Sequence, residues 1–183
     1  MARIYTRWGD KGDTNLLFGG RVSKADLRCE AYGSVDEAVS TLGLARSLVE
    51  DSELQDTIKK LQRELFIVGA ELATDPSNYA KLLENFSVVT QDMVNHIEII
   101  IDEMIEQIDM PKAFIIPGAS KGSAALDVAR TVIRKAERRV VELKEHDLLK
   151  NGYIINYLNR LADLVFVMAR FEDRKLPLDL VTG

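Results

Sequence analysis

The fourth long apolar-periodic segment of the chain carries the residues best suited to chemistry. Arg130, Arg134 and Arg138 recur every four residues. On a helix each is advanced by only ~40°, so the three form one stripe. Glu137 falls within the same arc, beside an apolar stripe of Ala129, Val132, Ile133, Ala136, Val140 and Leu143. Three guanidiniums side by side repel one another unless an anion neutralises them. Forked contacts to phosphate suit arginine better than lysine. Spacing alone leaves two readings open: a polyphosphate ligand, or acids supplied by neighbouring helices.

A second cationic group lies at the N-terminus, in Thr6-Arg7-Trp8-Gly9-Asp10-Lys11-Gly12-Asp13-Thr14. Gly9 and Gly12 let the backbone turn sharply and present N–H groups to oxyanions. Thr6 and Thr14 add hydroxyls; Arg7, Lys11 and, further on, Lys24 add charge. Taken alone this is an ordinary turn. Paired with the arginine stripe it reads as a polyphosphate cradle.

Charge distribution agrees with a local anion. The formal net charge is -5, which argues against bulk nucleic-acid binding. Yet residues 1–24 and 130–139 are two basic islands in this acidic chain. Other chemistries fail on residue type. There is no Gly-Lys dipeptide, hence no P-loop. The two histidines, His96 and His146, lack a glutamate three residues earlier, as a di-metal carboxylate bundle would require. A single cysteine, Cys29, rules out a thiolate zinc site and an internal disulfide.

The elements that must position these groups read as helix. Apolar residues follow helical spacing over about 28–48, 53–73, 90–108, 120–144 and 153–172, with Ser120 as a cap. Pro76, Pro111, Pro117 and Pro177 fall between or beyond these segments. The expected fold is all-α, a five-helix bundle in one domain spanning 1–183. Ile4 and Val22 fit only short extended pieces, and residues 1–24 read as a stretch without regular structure, either disordered or functional. Phe114-Ile115-Ile116 is an apolar knot in a loop, which must pack on core, partner or ligand. The longest hydrophobic run, 164–169, is far short of the ~20 residues of a membrane span. No apolar leader is visible, and one cysteine fits a reducing cytoplasm.

Six blocks in order resemble the PduO-type ATP:cob(I)alamin adenosyltransferases. They are residues 4–12 (Ile-Tyr-Thr-Arg-Trp-Gly-Asp-Lys-Gly), 21–24 (Arg-Val-Ser-Lys), 30–37 (Glu-Ala-Tyr-Gly-Ser-Val-Asp-Glu), 114–118 (Phe-Ile-Ile-Pro-Gly), 129–138 (Ala-Arg-Thr-Val-Ile-Arg-Lys-Ala-Glu-Arg) and 157–163 (Tyr-Leu-Asn-Arg-Leu-Ala-Asp). The resemblance implies a transferase that moves the 5′-deoxyadenosyl group of ATP to cob(I)alamin and releases triphosphate. It implies a homotrimer with ATP between subunits. Thr6, Arg7, Trp8, Gly9, Asp10, Gly12, Thr14, Asn15 and Lys24 of one subunit would bind ATP. Arg130, Arg134, Glu137, Arg138 and Asn159 of the next would complete the site.

By the same resemblance, Asp36 would pair with Arg130 across the boundary, both serving catalysis, and Phe114 would lie under the corrin ring. Mg²⁺ would come with ATP, with no dedicated protein ligand set. Other implied partners are cob(II)alamin, a flavoprotein-like reductant and an adenosylcobalamin-dependent enzyme. Several positions depart from the family's pattern. Trp8 stands where small residues are common, Ala119 where a second glycine is usual, Asp127 where histidine is common, Lys135 where arginine is, and Ala162 where serine is. The alternative is a bundle that binds nucleotide or corrinoid and has lost the chemistry.

Overall fold

Side-chain caps start most of the helices. The computed structural model describes residues 5, 7–177 and 179–181. A small antiparallel ribbon comes first, β1 (Asp13–Asn15) paired with β2 (Arg21–Ser23). Next, α1 (Leu27–Leu48) begins at Asp26, whose carboxylate accepts from the Arg28 N–H. Asp51 accepts from the Glu53 and Leu54 N–H groups to start α2 (Ser52–Leu72). A 3₁₀ turn (Pro76–Asn78) leads into the short α3 (Tyr79–Asn85). Thr90 caps α4 (Gln91–Ile105), and Ser120 forms a reciprocal capping box with Ser123 at the start of α5 (Lys121–Glu145). The last helix is α6 (Tyr153–Glu172).

The chain is mostly helical, as its periodicity predicts. Two details differ. Among the described residues there are six α-helices, not five; the additional one is α3. Its seven residues bury only Leu82, too little for a periodic signal. Residues 13–23 form a hairpin rather than a structureless loop. Three-residue strands are too short to display alternation. Val22 does sit in an extended piece; Ile4 lies outside the described residues.

Helices pack in the order α2–α1–α5–α6–α4. Arg139 reaches Glu30, and Lys135 bonds Glu37, so α5 runs antiparallel to α1. Leu42 and Leu65, Leu126 and Ile133, and Leu158 bring all the central helices into one core. Removing one such fully buried leucine side chain costs about 2–5 kcal/mol. Polar ties bind the elements further. Tyr157, fully buried, donates to Glu64 at 2.7 Å, linking α6 to α2. Burial first, and the Glu64 charge second, push its phenol pKa well up, so it remains a neutral donor. Buried Glu71 accepts from the Tyr79 hydroxyl at 2.9 Å, from Asn151 at 3.0 Å and from the Val89 N–H. That carboxylate joins the ends of α2 and α3 to the turn before α6.

Candidate functional site

The hairpin forms the first wall. Its tip, 16–20, is held by the Leu16 N–H donating to Gly20 at 2.9 Å, and it is tethered to the end of α2 by the Leu17 N–H donating to Ala73 at 2.8 Å. Before it, Gly12 adopts φ +85° and accepts from the Lys24 N–H at 2.8 Å, which folds Lys24 back over the loop. Gly9 lets Lys24 pack close: a Cβ at this position would stand 3.1 Å from the Lys24 Nζ, and the lysine would have to shift by a few tenths of an ångström. Arg7 adopts φ 61°, a conformation that costs a non-glycine residue roughly 1–2 kcal/mol, and its guanidinium lies 5.7 Å from the Tyr5 ring centre. The outcome is a cleft of ≈ 460 Å³ lined by Trp8, Gly9, Asp13, Thr14, Asn15 and Arg21. Trp8 is 73 % exposed. Thr6 lies outside the described residues; Asp10 is exposed on the turn.

Helix α5 forms the second wall, and the structure divides its basic island in two. Lys135 and Arg139 face α1 and are engaged by acids: Glu37 at 2.6 Å, and Glu142 at 2.9 Å. For these two, neighbouring acids do the neutralising. Arg130, Arg134 and Arg138 point elsewhere. Arg130 is half-buried and pairs with Asp127 at 3.2 Å. Arg134 and Arg138 are exposed and make no ion pair among the described residues. Glu137 makes no ion pair with an arginine among the described residues; it accepts from Asn159 Nδ2 at 3.2 Å. Arg160 donates in turn to Asn159 Oδ1 at 2.9 Å, which fixes the Asn159 amide. Arg130 and Arg134 line a cleft of ≈ 300 Å³ whose other walls are largely apolar, among them Ile101, Ile105, Met110 and Phe166.

Two expected residues lie apart from both walls. Asp36, exposed on α1, lines a larger groove of ≈ 830 Å³ with Tyr32, Phe66 and Phe86. Burial first, then its bond to Cys29, pushes the Tyr32 phenol up to about 12. Phe114 is 86 % exposed on the 110–120 loop. The chain after α6 straps that loop: the Ile116 N–H donates to Asp179 and the Val181 N–H to the Phe114 carbonyl, both at 2.8 Å. The apolar knot thus divides. Ile115 bridges to Leu180, while Phe114 and Ile116 face outward.

Within the chain the two basic islands line separate clefts with no lining residue in common. Reading residues by type and spacing missed Asp13 and Arg21, which pair at 3.2 Å in the hairpin cleft. It also missed Phe166, Arg170 and the 179–181 strap. Phe166 and Arg170 reach Arg130 and Asp127 only because α6 packs beside α5, and nothing local marks the strap. Among the described residues no three His, Cys, Asp or Glu side chains converge as a metal cage, and no helix is long and apolar enough to cross a membrane.

Comparison with known proteins supplies the family. The family model for cobalamin adenosyltransferases matches residues 4–172. A corrinoid adenosyltransferase of Citrobacter freundii is 39% identical over 173 residues, 94% of this chain and 96% of that protein. A corrinoid adenosyltransferase of Bacillus subtilis is 38% identical, over 92% of this chain and 85% of that protein. Among solved structures, a variant of a PduO-type ATP:corrinoid adenosyltransferase from Lactobacillus reuteri, complexed with cobalamin and ATP, superposes with TM-score 0.91. It is 32% identical, and the match covers 99% of this chain and 100% of that one. This chain belongs to the cobalamin adenosyltransferase family, and within it to the PduO type.

Proposed function

We propose that this protein transfers the 5′-deoxyadenosyl group of ATP to cob(I)alamin, forming adenosylcobalamin and inorganic triphosphate. The observation that carries this reading is the division of the α5 island. Lys135 and Arg139 are consumed by acids, while Arg130 and Arg134 stand at an apolar cleft with Arg138 exposed beside them. Cations against an apolar wall suit a charged triphosphate leaving group next to a corrin ring.

The cobalt of cob(I)alamin supplies the electron pair that forms the cobalt–carbon bond at C5′, and the C5′–oxygen bond breaks toward triphosphate. The cofactor does the demanding chemistry; the chain positions and neutralises. Arg130, Arg134 and Arg138 stabilise charge gathering on the departing triphosphate. Glu137 and Asn159 orient the nucleotide. The hairpin residues Arg7, Gly9, Asp10, Gly12, Thr14, Asn15 and Lys24, together with Thr6, enclose ATP, and Trp8 stacks on the base. Phe114 excludes water and the lower axial ligand beneath the corrin. Mg²⁺ arrives on ATP, keeping several of its waters. A flavoprotein-like reductant supplies cob(I)alamin, and an adenosylcobalamin-dependent enzyme consumes the product.

We further propose that the five long helices act as a bundle within a homotrimer, in the cytoplasm. One chain's hairpin meets the next chain's arginine stripe, and Asp36 pairs with Arg130 across that boundary. The separation of the two clefts within one chain supports this arrangement. The test is to mix the protein with Mg-ATP and chemically reduced cobalamin. The spectrum of adenosylcobalamin and one equivalent of free triphosphate are expected. ATP binding without a cobalt–carbon bond would establish the impaired alternative instead.

A further inference from the structure

A buried ion pair beside the arginine stripe has no part in the reading above. Asp127 on α5 is 5 % exposed and Arg170 on α6 is 4 % exposed. Arg170 Nη2 donates to Asp127 Oδ2 at 2.5 Å. A pair of this kind adds little net stability, because desolvating both charges offsets their attraction. The second oxygen is the informative one. Asp127 Oδ1 accepts from the Nε of Arg130 at 3.2 Å.

Phe166 completes the arrangement. Its ring centre lies 5.2 Å from the Arg170 guanidinium carbon and 5.9 Å from that of Arg130. The Arg130 fork is therefore held at Nε by a carboxylate, with the Phe166 ring beside it. Nη1 and Nη2 remain for the cleft that Arg130 shares with Arg134, Asp163 and Phe166. A free arginine loses rotamer entropy on fixing its fork. Here that ordering precedes ligand binding. Arg170 holds the other oxygen of the anchoring carboxylate within the core. Its own Nε is buried with no hydrogen-bond partner among the described residues.

We propose that Asp127 is a positioning residue for adenosyl transfer: it holds Arg130 through Nε, so that the side chain's terminal nitrogens are aimed at the triphosphate and at Asp36 of the adjacent chain. The inference rests on the arginine stripe being the triphosphate site. Removing Asp127 alone strands the buried Arg170 charge and endangers folding, so the test uses paired variants. Asp127→Leu/Arg170→Met removes both charges and the Nε acceptor. Asp127→Asn/Arg170→Met also removes both charges but returns a carbonyl oxygen to Arg130 Nε.

Two quantities are read in each protein: adenosyl-transfer kcat, and the Kd for Mg-tripolyphosphate by calorimetry. The leucine variant is expected to lose about tenfold to a hundredfold in both, as for one charge-assisted bond. The asparagine variant should recover most of that loss at a similar thermal midpoint. Equal Kd and equal kcat in the two variants would overturn the inference. A wild type that binds tripolyphosphate but forms no cobalt–carbon bond would overturn the proposed reaction, and the Kd ranking would still decide the role of Asp127.

Discussion

Trp8 and Phe114 are large aromatic side chains left facing outward, and each has a separable role. Trp8 is the chain's one tryptophan and lines the hairpin cleft. Stacking of a base on an aromatic ring is worth about 1–3 kcal/mol. Trp8→Ala should therefore raise the KM for ATP by about five- to a hundredfold and leave kcat near normal. Saturating Mg-ATP should quench the Trp8 emission, and inorganic triphosphate should not; an emission indifferent to ATP contradicts stacking.

For Phe114 the informative contrast is between cobalt states. A ring that displaces the lower ligand eases reduction of the +2 state, so Phe114→Ala should slow turnover from cob(II)alamin at least about tenfold more than from pre-reduced cob(I)alamin. Matching losses from the two states would remove the wedge role. Both residues were legible by type, and the arginine stripe by its spacing of four. Asp127 was not. An aspartate three residues before an arginine looks like an ordinary surface pair until α6 brings Arg170 to its other oxygen.

At the scale of elements, caps decide where the scaffold begins and how it responds to acid. Asp51 starts α2, and Arg174, just past α6, donates to its other oxygen at 2.9 Å. Arg174 leads into the segment that straps the Phe114 loop. Burial pulls the Asp51 pKa up, but the Leu54 N–H, Arg174 and the Glu53 N–H outweigh it and hold the carboxyl below its usual range. A depressed folded-state pKa contributes stability above the unfolded value near 4. That stability fades as pH falls through the lower folded value. Asp51→Ala should cost about 1 kcal/mol at neutral pH. The gap to wild type in denaturant melts should close below about pH 4; a gap that widens in acid would refute this linkage.

Helix positions were readable from the sequence because Ser120, Thr90 and the apolar stripes act locally. The hairpin, α3 and the strap were not, because their partners are distant: Ala73 for Leu17, Glu71 for Tyr79, and Asp179 for Ile116.

At the scale of the whole molecule, the proposed site divides between chains, and that division can be measured by complementation. Lys24 folds back over the hairpin loop and Arg134 lines the cleft of the stripe, and the hairpin cleft and that cleft share no residue in one chain. Lys24→Ala and Arg134→Ala should each lower kcat severely as pure proteins, since each damages every site. Co-expressed in equal amounts, they assemble into mixed closed rings. A site is intact when an unaltered hairpin meets an unaltered stripe from the adjacent chain. Random assortment produces that pairing at about a quarter of the sites. The mixed preparation should therefore recover roughly a quarter of wild-type turnover, at the elution volume of a trimer. If each chain instead holds a complete site, every copy in the mixture carries one damaged wall, and turnover stays at the level of the pure variants. Activity that fails to rise on mixing, from particles that do elute as trimers, would refute the shared site while leaving the adenosyl-transfer reaction intact.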